Sequence, residues 1–333
     1  MSTKEINISP IFFKIDRLKT WYPVRRGILS KTVGYIKAVD DVSFSIKRGE
    51  TIGLVGESGC GKTSLGRTIM LLETPYAGDV LFEGQSIFSL NHHEKKQLGR
   101  KMQMIFQDPQ SSLNPRMNVL DIITEGLKYH RLLKTNRKDS AVELLHEVGL
   151  DEQAMFRYPH EFSGGQRQRI SIARAISMHP KLVICDEAVS ALDVSIQAQI
   201  INLLMDLQAK HDFSYIFISH DLSVVNHISD RVAVMYLGKI VELGPTQNVL
   251  KTPCHPYTQA LMSAIPIPGK EQRPSVVFQG APPSPMNPPS GCHFHPRCLH
   301  KMKICQTHEP KLTRHQNGQQ VACHLNDMEQ IKE

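Results

Sequence analysis

A chain of 333 residues with 41% hydrophobic and 21% charged residues has ordinary globular composition and room for one large domain and a smaller one. No apolar run approaches the ~18 residues of a membrane-crossing helix, and Met1-Ser2-Thr3-Lys4-Glu5 lacks the charged, apolar, small order of a secretory signal. A protein of the cytosol, or of the cytosolic face of a membrane without spanning it, is therefore expected.

The net charge of +7 gathers early, because residues 1–48 hold ten Lys or Arg against four Asp or Glu. A solvated hairpin explains the excess; contact with anionic lipid or nucleic acid is the alternative. No nucleic-acid motif or aromatic interleaving supports the latter. Short apolar runs alternate with polar ones from Ile11 to Ile46, and period-two alternation over Val42–Ile46 predicts a half-exposed antiparallel strand. Trp21-Tyr22-Pro23 reads as an aromatic pair in a loop.

Thr51–Val55 reads as a buried strand, and the residues after Lys62 as the start of a helix. Between them, Gly56-Glu57-Ser58-Gly59-Cys60-Gly61-Lys62-Thr63-Ser64 follows the phosphate-loop pattern G-x-x-x-x-G-K-[ST]. Glycines let the backbone turn without a Cβ in the way, so that N–H groups and a helix N-terminus face an anion. Lys62 is placed to reach β- and γ-phosphates, and the Thr63 hydroxyl to hold Mg²⁺.

Val80–Phe82 and Met102–Phe106 read as strands, with helical polar sequence over 89–100 between them. Pro109 ends the second strand, after Gln107. Residues 118–178 carry apolar positions at three- and four-residue steps, which predicts a helical insert. Within it, Ser163-Gly164-Gly165-Gln166 reads as a cap and helix start suited to an anion. Leu182–Cys185 is a buried strand that delivers Asp186 and Glu187. In open α/β sheets such strand ends carry function. Asp186 suits Mg²⁺, and Glu187 suits orienting or deprotonating a water. Ser190–Asp193 is a turn before a helix over 195–210. Tyr215–Ile218 is a further buried strand that brings His220 to the same edge, and residues 231–242 form a small hairpin.

Twelve of the twenty prolines lie between Pro253 and Pro310, so the C-terminal part reads as an extended, loop-rich appendage. Cys292, Cys298, Cys305 and Cys323 fall in the last 42 residues, with spacings x₅, x₆ and x₁₇. This matches neither a C-x₂-C zinc pattern nor a ferredoxin run. An iron–sulfur cluster, a structural zinc and free thiols all stay open, with His293, His295, His300 and His324 as alternative ligands. Cys60, Cys185 and Cys254 read as packing or surface residues.

The motifs from Gly56–Thr63 through Gln107, Ser163–Gln166, Leu182–Glu187 and Ser190–Asp193 to His220 stand in one order over residues 10–250. In that order and spacing the chain resembles the nucleotide-binding subunits of ATP-binding cassette transporters. Phe162 stands where the family's signature opens with Leu. Gln107–Pro115, His255–Leu261 and Gly291–Cys298 look like the oligopeptide/dipeptide importer branch, and more like its second oligopeptide ATPase. The resemblance implies an α/β P-loop cassette over 1–250: a RecA-like core, an antiparallel β subdomain and a helical insert at about 108–178. A Cys/Pro-rich extension over 251–333 would follow.

It further implies an ATPase that powers peptide import through an attached permease, at the cytoplasmic face of a bacterial inner membrane. Two cassettes clamp two ATP molecules head to tail in this family. Lys62 and the loop amides from Gly56 to Ser64 would hold phosphates, and Thr63, Gln107 and Asp186 would position Mg²⁺. Glu187 would act on water and His220 on the γ-phosphate. Ser163, Gly165 and Gln166 would reach the partner's ATP, and Asp193 would line the seam. Tyr22 is the first candidate to stack on adenine, with Trp21 second. Apart from the resemblance, ligand type makes a [4Fe–4S] cluster the first candidate for Cys292, Cys298, Cys305 and Cys323, with zinc as runner-up and free thiols as the remaining option. Implied partners are a second, different cassette subunit, two permease subunits and, indirectly, an external peptide-binding protein. The rivals are a soluble cassette ATPase not tied to transport and a redox-sensing nucleotide switch.

Overall fold

A computed structural model describes residues 11–27, 30–133, 136–263, 280–315 and 317–329. The N-terminal segment read for a secretory signal and part of the proline-rich stretch, residues 264–279, lie outside it. Strands β1 (Ile11–Arg26) and β2 (Lys31–Lys47) pair as a long antiparallel hairpin. β3 (Thr51–Val55) leads into the phosphate loop. β4 (Ala77–Phe82) and β5 (Gln85–Ser86) complete a four-stranded sheet in the order β2-β1-β4-β5.

Trp21-Tyr22-Pro23 lies inside β1, not in a loop. β4 pairs with β1 only as far as Lys19 opposite Ala77, so beyond that point β1 is an edge strand toward β4. An edge tolerates a proline that has no N–H to donate. Trp21 stacks on Tyr76 with ring centroids 4.1 Å apart.

The larger sheet adds β6 (Met102–Ile105), β7 (Leu182–Asp186), β8 (Ser214–Ile218), β9 (Arg231–Tyr236), β10 (Lys239–Pro245), β11 (Thr313–Arg314) and β12 (Gln320–Val321). Its order is β11-β12-β10-β9-β3-β8-β7-β6, with β6, β7, β8, β3 and β9 parallel. Residues of β3, β7 and β8 are buried throughout, as expected for parallel strands covered on both faces. Their alternation divides the core. Ile184, Ile216 and Ile218 pack with Leu65, Ile69 and the four-stranded sheet. Val183, Cys185, Tyr215 and Phe217 pack with the helical insert.

That insert lies between β6 and β7 and includes helices Val119–Tyr129, Arg137–Glu147 and Gly164–Ile176. The proline-rich extension is more than an appendage. β12 pairs with β10 and extends the main sheet, so backbone hydrogen bonding the composition does not reveal ties it to the cassette. Buried Glu242 of β10 secures the joint, accepting from the backbone N–H groups of Cys254 and His255 and from Gln319 Nε2.

Candidate functional site

Because β3, β8, β7 and β6 run parallel as neighbours, their carboxyl ends share one edge. The phosphate loop, His220, Asp186 with Glu187, and Gln107 leave those ends in that order. Two glycines show why the loop needs them. At Gly56 (φ +152°) a Cβ would lie 2.1 Å from the Met235 carbonyl oxygen. At Gly61 (φ +109°) it would lie 1.9 Å from the Ala38 carbonyl oxygen. Ser58 and Gly59 are exposed, whereas Cys60 is buried and its thiol pKa is raised by that burial.

Gly61 caps helix Lys62–Ile69 without a side-chain hydrogen bond, so no cap side chain takes its first-turn N–H groups, and Thr63 and Ser64 in that turn are half-buried. Lys62, 4% exposed, curls over the loop and donates from Nζ to the carbonyls of Gly56 (2.7 Å) and Glu57 (3.0 Å). Those bonds satisfy the buried Lys62 side chain.

Two pairs of side chains bridge the strand ends. Thr63 Oγ1 donates to Asp186 Oδ1 at 3.0 Å. Burial raises the Asp186 pKa, against the opposing Thr63 hydrogen bond. A hydroxyl and a nearly buried carboxylate this close suit a hard divalent cation. Glu187, at φ +47°, turns its carboxylate toward the neighbouring strand ends. Its Oε2 accepts from Gln107 Nε2 at 3.0 Å and lies 3.5 Å from His220 Nδ1. Residues 107, 187 and 220 thus meet on one oxygen.

The remaining expected groups stand elsewhere. Ser163 caps helix Gly164–Ile176 in a reciprocal box with Gln166. Ser163, Gln166 and Asp193 are exposed, and Gly165 sits against Ile196, where a Cβ would lie 2.6 Å from its Cγ2. Among the described residues no hydrogen bond joins Ser163, Gly165 or Gln166 to residues 56–64. Tyr22 pairs with Ile36 on the hairpin, partly buried.

Cys292, Cys298, Cys305 and Cys323 line one pocket with His255, His295, His300 and His324. Burial pushes the Cys292 thiol up to about 11 and Cys323 up to about 12, and the neighbouring thiols add to both. Among the described residues, no three His, Cys, Asp or Glu are arranged to hold a metal ion. Cys185 is buried in the core, and Cys254 bonds to Gln319 Oε1.

Sequence reasoning missed the residues that clamp the loop from outside it. Tyr257 Oη accepts from the Glu57 N–H at 2.8 Å, and Arg297 makes two bonds to the Glu57 carboxylate. Separations of 200 and 240 residues leave no local signal for either contact.

The ABC transporter family matches residues 39–190, and the oligopeptide/dipeptide transporter C-terminal region matches residues 241–305. The oligopeptide transport ATP-binding protein AppF of Bacillus subtilis is 51% identical over 313 residues, covering 92% of this chain and 95% of that protein. The dipeptide transport ATP-binding protein DppF of Escherichia coli is 46% identical, covering 99% of each chain. A dimeric ATP-binding cassette bound to ADP and Pi in a post-hydrolysis state is similar in structure, with a TM-score of 0.62, 25% identity and coverage of 70% of this chain and 98% of that one. The chain belongs to the ATP-binding proteins of oligopeptide and dipeptide ABC transporters, and the edge that carries Lys62, Asp186 and Glu187 lies within the cassette that defines them.

Proposed function

We propose that this chain hydrolyses ATP at the edge described above and that the work drives import of oligopeptides or dipeptides through an attached permease. The meeting of Gln107, Glu187 and His220 beside Lys62 and Thr63 carries the reading. Lys62 and the loop amides hold the β- and γ-phosphates. Thr63 and Asp186, with Gln107, hold Mg²⁺, which when bound neutralises charge on the phosphates. Glu187 takes a proton from the attacking water or orients it, Gln107 fixes the carboxylate for that task, and His220, 3.5 Å from that carboxylate, contacts the γ-phosphate. Tyr22 is proposed to stack on adenine.

Half of the site comes from a second cassette. The exposed signature start supports this: Ser163, Gln166 and Asp193 are exposed, and among the described residues no hydrogen bond joins Ser163, Gly165 or Gln166 to residues 56–64, so they are proposed to meet a partner's phosphates, with Asp193 at the seam. The partner is proposed to be a different cassette chain. Two permease subunits, served by an external peptide-binding protein, complete the importer. No helix among the described residues is long and apolar enough to cross a membrane. That fits a peripheral subunit on the cytoplasmic face of a bacterial inner membrane.

The four C-terminal thiols are proposed to hold an iron–sulfur cluster. They line one pocket together, which supports the reading, although among the described residues no three His, Cys, Asp or Glu are grouped to hold a metal ion, a finding that counts against cluster and zinc alike. Because burial keeps the Cys292 and Cys323 thiols protonated, loading must expel protons. Anaerobic purification with an iron assay and a visible spectrum tests this; a folded, colourless, iron-free protein removes it.

For the main reading, Glu187→Gln keeps ATP binding and lowers turnover sharply in the assembled complex. Near-normal hydrolysis by that variant would remove Glu187 from its role.

A further inference from the structure

The C-terminal extension reaches back to the phosphate loop at one point. Arg297 Nη1 and Nη2 donate to Glu57 Oε2 and Oε1 at 2.8 and 3.0 Å, a paired fork-to-carboxylate contact. The Arg297 side chain is 5% exposed, and that of Glu57 is 24% exposed. An arrangement this enclosed differs from an ordinary surface ion pair.

Its surroundings fix the guanidinium. Arg297 follows a tight turn in which the N–H groups of His295 and Arg297 bond to the carbonyls of Cys292 and Phe294. The Phe294 ring packs against Tyr236 and Tyr257, with centroids 5.3 and 5.5 Å away. His293 Nδ1 donates to the Leu237 carbonyl at 3.3 Å, and the adjacent Gly238 N–H bonds to the carbonyl of Cys60 in the loop. Tyr257 holds the backbone of Glu57 while Arg297 holds its side chain.

Glu57 stands inside a loop built to take an anion. Left alone, its carboxylate repels phosphate; paired with Arg297, it does not. We propose that Arg297 is a positioning residue for the phosphate loop: it fixes the first turn through Glu57 and cancels a charge that opposes ATP. The extension is then a working part of the nucleotide site. The inference rests on the reading that residues 56–63 take the phosphates of ATP.

The test uses the full chain in its complex and compares Arg297→Ala, Arg297→Lys and the double variant Arg297→Ala/Glu57→Gln. Unmasking one charge within ~8 Å of another, at an effective dielectric near 20, changes affinity about tenfold or more. Arg297→Ala is expected to raise the ATP KM about tenfold, with kcat held within about twofold. Adding Glu57→Gln should bring the KM back to within about threefold of the parent by removing the unpaired charge. Arg297→Lys keeps the charge, loses the fork and should fall between; it carries the same test if the alanine variant does not fold.

Deuterium uptake over residues 56–61 without nucleotide should rise in Arg297→Ala, which reads loop positioning with no ATP present. A KM within twofold of the parent in Arg297→Ala overturns the proposal. So does a raised KM that Glu57→Gln fails to lower, which marks general damage, or unchanged deuterium uptake. Lys62→Ala is the separate control: unaltered ATP affinity there would sink the nucleotide reading, while the uptake arm would still judge Arg297.

Discussion

The phosphate loop and the start of helix Gly164–Ile176, the two places proposed to meet phosphates, are finished differently. In the loop, Lys62 is 4% exposed and donates to two carbonyls, Thr63 bonds to Asp186, and Glu57 is clamped from the extension. At the signature start, Ser163 and Gln166 are exposed, and each side chain accepts from the other's backbone N–H. The first is a pocket wall that one chain completes; the second is a surface. Buried polar groups must find partners within the fold, whereas exposed ones can wait for another molecule. On the proposed reading, chemistry that needs both is controlled by docking.

The sharpest way to break this contrast is Glu187→Gln. Turnover should fall about 100- to 1,000-fold while ATP affinity holds, measured by steady-state hydrolysis and nucleotide binding. Loss of binding as well would mean that the acid builds the pocket instead of acting in it. Gly61→Ala tests the completeness of the wall. Its Cβ would meet the Ala38 carbonyl in a left-handed backbone conformation. Destabilisation of about 3 kcal/mol is expected in denaturant melts. An unchanged midpoint would show that the loop can shift.

Ser163→Ala probes the other side. Loss of the cap should cost about 1 kcal/mol in the same melts and leave ATP affinity of the separate chain alone, while slowing turnover in the assembled complex. An effect on the separate chain's own affinity would erase the distinction between wall and surface.

A smaller effect lies away from both regions. Glu83 accepts from Arg48 (2.8 Å), Lys101 (2.9 Å) and Lys181. Partial burial opposes its ionisation, but these three bonds outweigh it and hold the pKa at about 2. A carboxylate depressed from its unfolded value near ~4.3 contributes stability that is full above that pH and lost as pH falls toward about 2. With the side chain 23% exposed, solvent screening limits the effect, so Glu83→Gln should cost about 1 kcal/mol at pH 7. The difference from the parent should shrink in melts between pH 4 and pH 2. A gap constant with pH would assign the cost to packing.

Much of the site was legible because short-range rules act on adjacent residues. Glycine spacing, the apolar run before Asp186 and the Ser163 cap are each local, and each stands where those rules put it. Trp21–Pro23 was misread as a loop because a proline looks like a strand breaker until the edge it occupies is known. The extension was read as an appendage because twelve prolines say nothing about which strand Gln320–Val321 will join. The meeting of Gln107, Glu187 and His220 on one oxygen depends on sheet order, which no window of sequence contains.

The sequence by itself determined the phosphate loop, the acid pair after β7 and the helical insert, since each depends on side-chain type and period within a few residues. Only the tertiary structure decided that Arg297 and Tyr257 grip Glu57, and that four distant cysteines face one pocket. Contacts across 200 residues and more arise from strand pairing and buried polar groups that must be satisfied, and such demands are settled globally.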